Sequence, residues 1–442
     1  MSYELIALLM FLSFMVLLVT GQRVFGVIGF VASVFSLALW GEGAVEMPFA
    51  STITLINWYP MLTLPMFVYM GYMLSESGIA SDLYRMFHVW TGPIRGGLAV
   101  GTVLLMFAVS AMNGLSVAGM AIGATIAMPE LLKRGYDKTM VTGVIQAGST
   151  LGIMLPPSVV FVLYAMIARQ PVGQLWLAGV GPGLMFAVLF ILYILIRCHF
   201  QPHLGPPLPI EERRQITWGE KFRLLSAGLL PLVIVFAMTG LFVMGVTSMV
   251  ESSAVGALAA TLVALFKGRL TRKVMHETLR KSLGVSCMFM WIILAALAFG
   301  AVFDGLGAVR AIEVLFLEKW GLEPWQVLVL MQISYLVMGT FLDDTAMLII
   351  VAPLYIPLII ALGFNPIWYG VLYVVTCQIA YITPPFGYNL FLMRAMAPKD
   401  ITLIDIYKSI IPFVLIMMLG LALVIIFPEI ALWLPNLVYG AR

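Results

Sequence analysis

Apolar residues run through this chain in stretches of roughly 20, the length at which a helix crosses a bilayer. Ten such stretches lie near residues 3–20, 24–41, 54–75, 139–168, 173–196, 226–247, 252–266, 283–303, 368–393 and 407–434. Two more, about 97–131 and 326–362, are each long enough for two short helices but are interrupted near their centres. The interruptions read Met112-Asn113-Gly114-Leu115-Ser116 and Thr340-Phe341-Leu342-Asp343-Asp344-Thr345. They predict re-entrant hairpins, because non-helical backbone at membrane depth is tolerated only where protein buries it or where it lines a cavity.

The pattern occurs twice. Pro156-Pro157 recurs 228 residues later as Pro384-Pro385, and each pair follows a Gly-aromatic turn by 21 residues, Gly135-Tyr136 or Gly363-Phe364. Pro129 and Pro357 share the offset, and the same shift carries 3–20 onto 231–248 and 24–41 onto 252–269. The expected fold is an all-α polytopic membrane protein of two repeats, 1–200 and 229–435, joined at 201–228 by a Pro-rich, charged cytoplasmic linker, about 201–223, and the start of the next helix. Each repeat holds five crossings and one hairpin. An odd number of crossings makes the second copy inverted, so the hairpins enter from opposite faces and their tips meet near the midplane. The broken helices are expected at 139–168 and 368–393. Paired interruptions at corresponding positions of two halves are the best sequence pointer to a transporter's binding site. Segments 77–97 and 308–324 mix apolar and charged residues and read as interfacial amphipathic helices.

Composition narrows the class. With 62% hydrophobic and 10% charged residues and a mean hydropathy of +1.05, the chain cannot be an ordinary soluble globule. The predicted topology with a cytoplasmic linker places 20 of the 24 Lys and Arg residues inside and only Arg169, Arg310, Lys319 and Arg442 outside. That bias orients the chain with both termini external. The N-terminus has no basic region or small-residue cleavage site, so the first apolar stretch is read as a retained span. Cys198, Cys287 and Cys377 are odd in number and widely spaced, giving no disulfide framework and no transition-metal spacing. There is no GxxxxGK[ST] loop to make ATP the direct energy source, and a nucleic-acid partner is not expected.

Two broken helices facing two hairpin tips supply oxygen ligands for a cation without a full charge. Unwound carbonyls and hydroxyls can replace the hydration shell of Na⁺. The candidates are Asn113, Gly114 and Ser116 on the first tip and Gly148, Ser149 and Thr150 before Pro156. On the second tip they are Gly339, Thr340, Asp343, Asp344 and Thr345, with Thr376 and Thr383 before Pro384. Ser116, Ser158, Thr345, Pro385 and Asn389 are candidates for contacting substrate, and half-helix N-termini at the breaks favour a carboxylate. Gly, Ser and Thr are also ordinary packing residues at membrane helix crossings; duplication opposite Pro156, Pro157, Pro384 and Pro385 favours the binding role. Two readings fit the acidic pair: a cation ligand, or Asp344 as an N-cap with Asp343 solvated in a vestibule. Asn389 either contacts substrate or bonds the broken backbone. Glu76, Asp82, Glu251 and Asp304 fall at span ends, where a solvated charge is the default. An enzyme using Asp343 and Asp344 lacks an accompanying Ser/His or metal-spaced cluster, so transport is the expected class and enzymatic activity is not.

At these residues the chain resembles the large membrane subunit of the tripartite ATP-independent periplasmic (TRAP) transporters. The resemblance rests on LTLPMFVYMGYMLSESGIASDLY, GPIRGGLAVG, IQAGSTLGIMLPPS, MGTFLDDTAMLIIVAPLYIPLIIALGF and YITPPFGYNLF, in order from residue 62 to 391. It implies a bacterial inner-membrane, sodium-coupled importer of small organic acids with an elevator-type fold, in which a transport domain carrying both hairpins slides against a scaffold in the lipid bilayer. It also implies two partners, a small four-helix membrane subunit and a periplasmic substrate-binding protein. Sodium sites are implied at Asn113–Ser116, Gly148–Thr150, Gly339–Thr345 and Thr383–Pro385. The alternative is a self-sufficient ion-coupled carboxylate transporter or antiporter of related inverted-repeat fold.

Overall fold

The computed structural model describes residues 3–20, 22, 24–41, 43–114, 116–215, 217–340, 344–384 and 387–440. All regular structure among them is helical. Five helices are long and apolar enough to cross a membrane on their own: Val172–Phe200, Trp218–Val243, Met249–Phe266, Arg272–Gly305 and Leu403–Ile426. Tyr3–Val19 and Val24–Leu39 are shorter, and the remaining apolar stretches are broken helices or hairpin arms.

Two expected spans differ. The stretch expected at 54–75 is two helices, Glu46–Ile56 and Thr63–Glu76, separated by a short 3-10 turn at Tyr59–Leu62. Pro60 lacks the N–H that a continuous helix would need there. The stretch expected at 407–434 is likewise divided into Leu403–Ile426 and Glu429–Tyr439, with Pro428 at the joint.

The first hairpin is Gly97–Asn113 followed by Ser116–Lys133, whose return arm contains a π-helical turn at Gly123–Ala127. Gly114 turns the tip at φ +64, in the left-handed region that glycine adopts without a Cβ penalty. The second hairpin is Pro324–Gly339 and Asp344–Ala361. The first broken helix consists of Lys138–Thr150, a 3-10 turn at Leu151–Ile153, the Pro156-Pro157 break and Val159–Ala168. The second is Pro366–Tyr381 and Tyr388–Met396.

The 228-residue offset is visible in local geometry. Gly135 and Gly363 are both left-handed, at φ +78 and +79. Asp137 and Asn365 then cap the broken helices, each side chain accepting from two backbone N–H groups, Thr139 and Met140 or Ile367 and Trp368. Packing interleaves the halves. Each hairpin lies on its own half's broken helix, while Val159–Ala168 packs on the second hairpin's return arm and Tyr388–Met396 on the first's. Every residue from Met140 to Thr150 and from Ile367 to Tyr381 is buried, so the broken helices form the interior. Around them stand helices with exposed apolar faces, such as Trp218, Phe222, Leu229 and Leu232 on Trp218–Val235, the pattern of a lipid-contacting surface.

Candidate functional site

Asn389 joins three elements. Its Nδ2 donates to the Ser116 hydroxyl at 3.2 Å and to the Ser149 hydroxyl at 3.1 Å. Ser116 opens the return arm of the first hairpin, Ser149 lies in the last turn of Lys138–Thr150, and Asn389 lies in the first turn of Tyr388–Met396. Asn389 and Ser149 are fully buried and Ser116 nearly so. Ser149 in turn donates to the Gln146 carbonyl at 2.7 Å. One residue away, the Thr150 carbonyl accepts from Gln378 Nε2 at 2.9 Å, and Thr150 and Gln378 are themselves separated by the repeat offset of 228 residues. The ends of both broken helices and the first tip are therefore tied by neutral amides and hydroxyls.

Three buried acceptor oxygens in this network have no hydrogen-bond partner: Gln146 Oε1, Gln378 Oε1 and Asn389 Oδ1. A buried acceptor without a donor is costly, and such oxygens suit a hard cation such as Na⁺ or a donor-bearing ligand. Gln146 Nε2 meanwhile bonds the Thr142 carbonyl and lies 3.3 Å from Ser409 Oγ on Leu403–Ile426.

The first tip touches the first break directly. A Cβ added at Gly114 would stand 1.8 Å from the Pro157 carbonyl oxygen, so only glycine permits this approach. At that break Ser158 caps Val159–Ala168, accepting from the Phe161 N–H at 3.2 Å and donating to the Ile153 carbonyl at 2.5 Å. Ser158 is thus occupied with broken backbone, and Trp176 Nε1 covers its carbonyl at 3.3 Å. Gly148 and Gly339 are close-packing positions: a Cβ would meet Met106 at 2.8 Å or Ala380 Cβ at 2.4 Å.

On the second side, Asp344 is buried and is the first described residue of the helix Asp344–Ala361. Its carboxylate is placed in the first turn, where the helix dipole favours negative charge, and its carbonyl accepts from the Tyr373 hydroxyl. Thr376, expected near the cation, has its hydroxyl 2.6 Å from Gln332 Oε1 on the hairpin's first arm and 2.9 Å from the Leu372 carbonyl. Thr340 and Thr383 donate to carbonyls of their own helices, Val337 and Ile379. Asp343 and Pro385 lie outside the described residues, as do the side chains of Asn113 and Thr345. Of the expected residues, Ser116, Ser149, Thr150 and Asn389 come together. Gln146, Gln332, Gln378 and Tyr373 are additional polar groups whose sequence signal was a long polar side chain inside a strongly apolar helix.

A charged cluster lies at the root of the first hairpin. The Arg134 guanidinium binds Glu130 at 2.6 Å and both oxygens of Glu212 in the linker at 2.7 and 2.8 Å. This pairing holds the Glu212 carboxyl below its ordinary value. His88, on the amphipathic helix Ile79–Thr91, has its basicity lowered by burial and then by Arg134.

The family model for the tripartite ATP-independent periplasmic transporter, DctM component, matches residues 11–430. The chain belongs to this family. It is 32% identical over 383 residues to the C4-dicarboxylate TRAP transporter large permease protein DctM of Pseudomonas aeruginosa, an alignment covering 86% of each chain. It is 30% identical to the protein of the same name from Vibrio cholerae, covering 96% of this chain and 97% of that one. The ectoine TRAP transporter large permease protein TeaC of Halomonas elongata is 28% identical over 92% of this chain and 93% of its own. Among solved structures, the YdaH transporter of Alcanivorax borkumensis superposes with a TM-score of 0.63 over 89% of this chain and 90% of that one, at 13% identity. That likeness shows a shared fold. As a TRAP large permease the chain is a multi-pass inner-membrane transport protein and not an enzyme.

Proposed function

We propose that this permease imports a small organic acid in symport with Na⁺, by an elevator movement of its hairpins and broken helices against the surrounding helices. The observation that carries the reading is the Asn389 junction, where one amide ties the first hairpin tip to both broken helices beside unpartnered acceptor oxygens. Neutral oxygens at unwound helix ends suit Na⁺. The N-terminus of Tyr388–Met396 has no side-chain cap, and its positive dipole end suits a carboxylate. Relatives named for C4-dicarboxylates support an organic acid as cargo.

The small four-helix membrane subunit and the periplasmic binding protein complete the proposed system, and both termini are placed in the periplasm. Arg85–Glu220, Arg134–Glu212, Lys138–Asp400 and Lys267–Asp82 each pair a basic residue of the predicted cytoplasmic set with a distant acidic residue. These pairings support one common face for those residues. Lys319, of the opposite set, pairs with Glu4.

The test is uptake of labelled succinate into vesicles holding the permease with its small subunit and binding protein. Uptake is expected to require an inward Na⁺ gradient and both partners. Uptake by the permease alone would replace this reading with the self-sufficient transporter, and indifference to Na⁺ would remove the coupling.

A further inference from the structure

Away from the Asn389 junction, a cavity of about 670 Å³ opens where Val159–Ala168 and the second hairpin's return arm meet Glu46–Ile56 and the long helix Arg272–Gly305. Its volume falls in the range of small-molecule sites. Small residues such as Ala168, Gly300 and Ala301 keep its walls apart, and two charged residues line it, Arg169 and Asp304. They face the same space, yet neither forms an ion pair among the described residues.

The backbone at Arg169 is a second, independent observation. The described residues contain twelve glycines at positive φ and one other residue there, Arg169, at φ 54 and ψ 39. This is the C-terminal turn of Val159–Ala168, a position where glycine or asparagine avoids the crowding of Cβ against the following carbonyl. The fold therefore holds an arginine in strained backbone beside a cavity. Residues held in such backbone cluster at functional sites. The ten-residue half-helix before it spans about 15 Å, so the Arg169 backbone lies one half-helix from the Pro156-Pro157 break.

We propose that this cavity is an outer staging site for a small organic carboxylate, with Arg169 as the group that attracts it. Asp304 on the opposing helix opposes the anion's charge and keeps its hold weak, so that the anion is released toward the helix breaks. The proposal rests on the orientation given above, which places Arg169 on the periplasmic side.

Thiol labelling of the full chain in intact cells tests it. Ala301→Cys is placed in a Cys287→Ser background; Cys198 and Cys377 are buried. Impermeant thiosulfonates are then added from outside, one ending in sulfonate and one in trimethylammonium. The sulfonate is expected to react faster by at least about fivefold, the scale of one attractive charge in partly screened surroundings. Arg169→Gln should abolish the sulfonate's advantage and turn the preference toward trimethylammonium, Asp304→Asn should widen the parent's difference, and added succinate should slow only the sulfonate. Equal rates in the parent, or a preference unchanged by Arg169→Gln, would overturn the proposal. The same reagents are added to inside-out membrane vesicles, and labelling there but not in intact cells would instead overturn the orientation while leaving the charge preference measurable. Ala361→Cys, also on the cavity wall, repeats the measurement if Ala301→Cys does not fold.

Discussion

The two proline breaks share a motif but not a state. At the first, every residue from Leu151 to Val160 is buried, and Ser158 satisfies backbone on both sides of the break. At the second, Gly387 gives Tyr388–Met396 no side-chain cap. Thr383 and Pro384 line a cavity of about 310 Å³ with Tyr407 and Lys408. A helix N-terminus leaves unsatisfied N–H groups that some partner must meet. The first break meets that need with the Ser158 side chain; the second meets part of it with backbone, Gly387 N–H to the Thr383 carbonyl and Leu390 N–H to the Gly387 carbonyl, and carries Asn389 in its opening turn. Duplication supplied two equivalent breaks, and side chains made them unequal.

The largest effect should come from Gly114→Ala, which puts a Cβ against the Pro157 carbonyl in left-handed backbone. At a combined cost of at least about 3 kcal/mol, folded protein should be lost, as read by size-exclusion chromatography in detergent; normal yield would show that the first break is not closely packed against the tip. Asn389→Leu should lower uptake about 10- to 100-fold and cost about 1–3 kcal/mol of thermal stability, because the amide's bonds to two buried hydroxyls are removed. Asp344→Asn should raise the half-saturating Na⁺ concentration several-fold, by roughly the 1 kcal/mol expected of a charge-assisted contact; an unchanged Na⁺ dependence leaves Asp344 its helix-dipole role alone.

Ser158→Ala should cost about 1 kcal/mol of thermal stability, as for a lost N-cap, without altering substrate half-saturation. If it altered half-saturation as much as Asn389→Leu does, the contrast between the breaks would collapse. The smallest effect concerns the linker. Because Arg134 depresses the Glu212 carboxyl below its ordinary 4.5, their contribution is present above pH 4.5 and lost as pH falls through the lower, folded value. The Glu212 side chain is 39% exposed, so screening keeps this below about 1 kcal/mol. Hydrogen exchange at residues 210–215 should quicken only under those acidic conditions, and Glu212→Gln should remove the pH response.

Much of the site was legible because breaking a helix inside a membrane takes particular residues. Pro156, Pro157 and Gly114 announce interruptions by their own backbone chemistry, and the 228-residue offset pairs them. Ser116, Ser149 and Asn389 were each readable as polar residues near breaks. Their junction was not, since it joins residues 240 and 273 positions apart through packing between the two halves. Thr376 was likewise readable as a polar residue in an apolar helix, while its partner, Gln332 on the second hairpin, was not. Arg169 looked like one of four outside charges until the backbone placed it in left-handed conformation on a cavity wall.

Sequence alone determined that the chain is helical and membrane-spanning, and that two hairpin tips and two proline breaks come in pairs. Those properties follow from local apolar length, proline's missing N–H and glycine's missing Cβ. Tertiary structure decided which polar groups of the two halves satisfy one another and where a cavity opens. These depend on distances between segments hundreds of residues apart, and a hydroxyl's partner is fixed by whatever packing brings within about 3 Å of it.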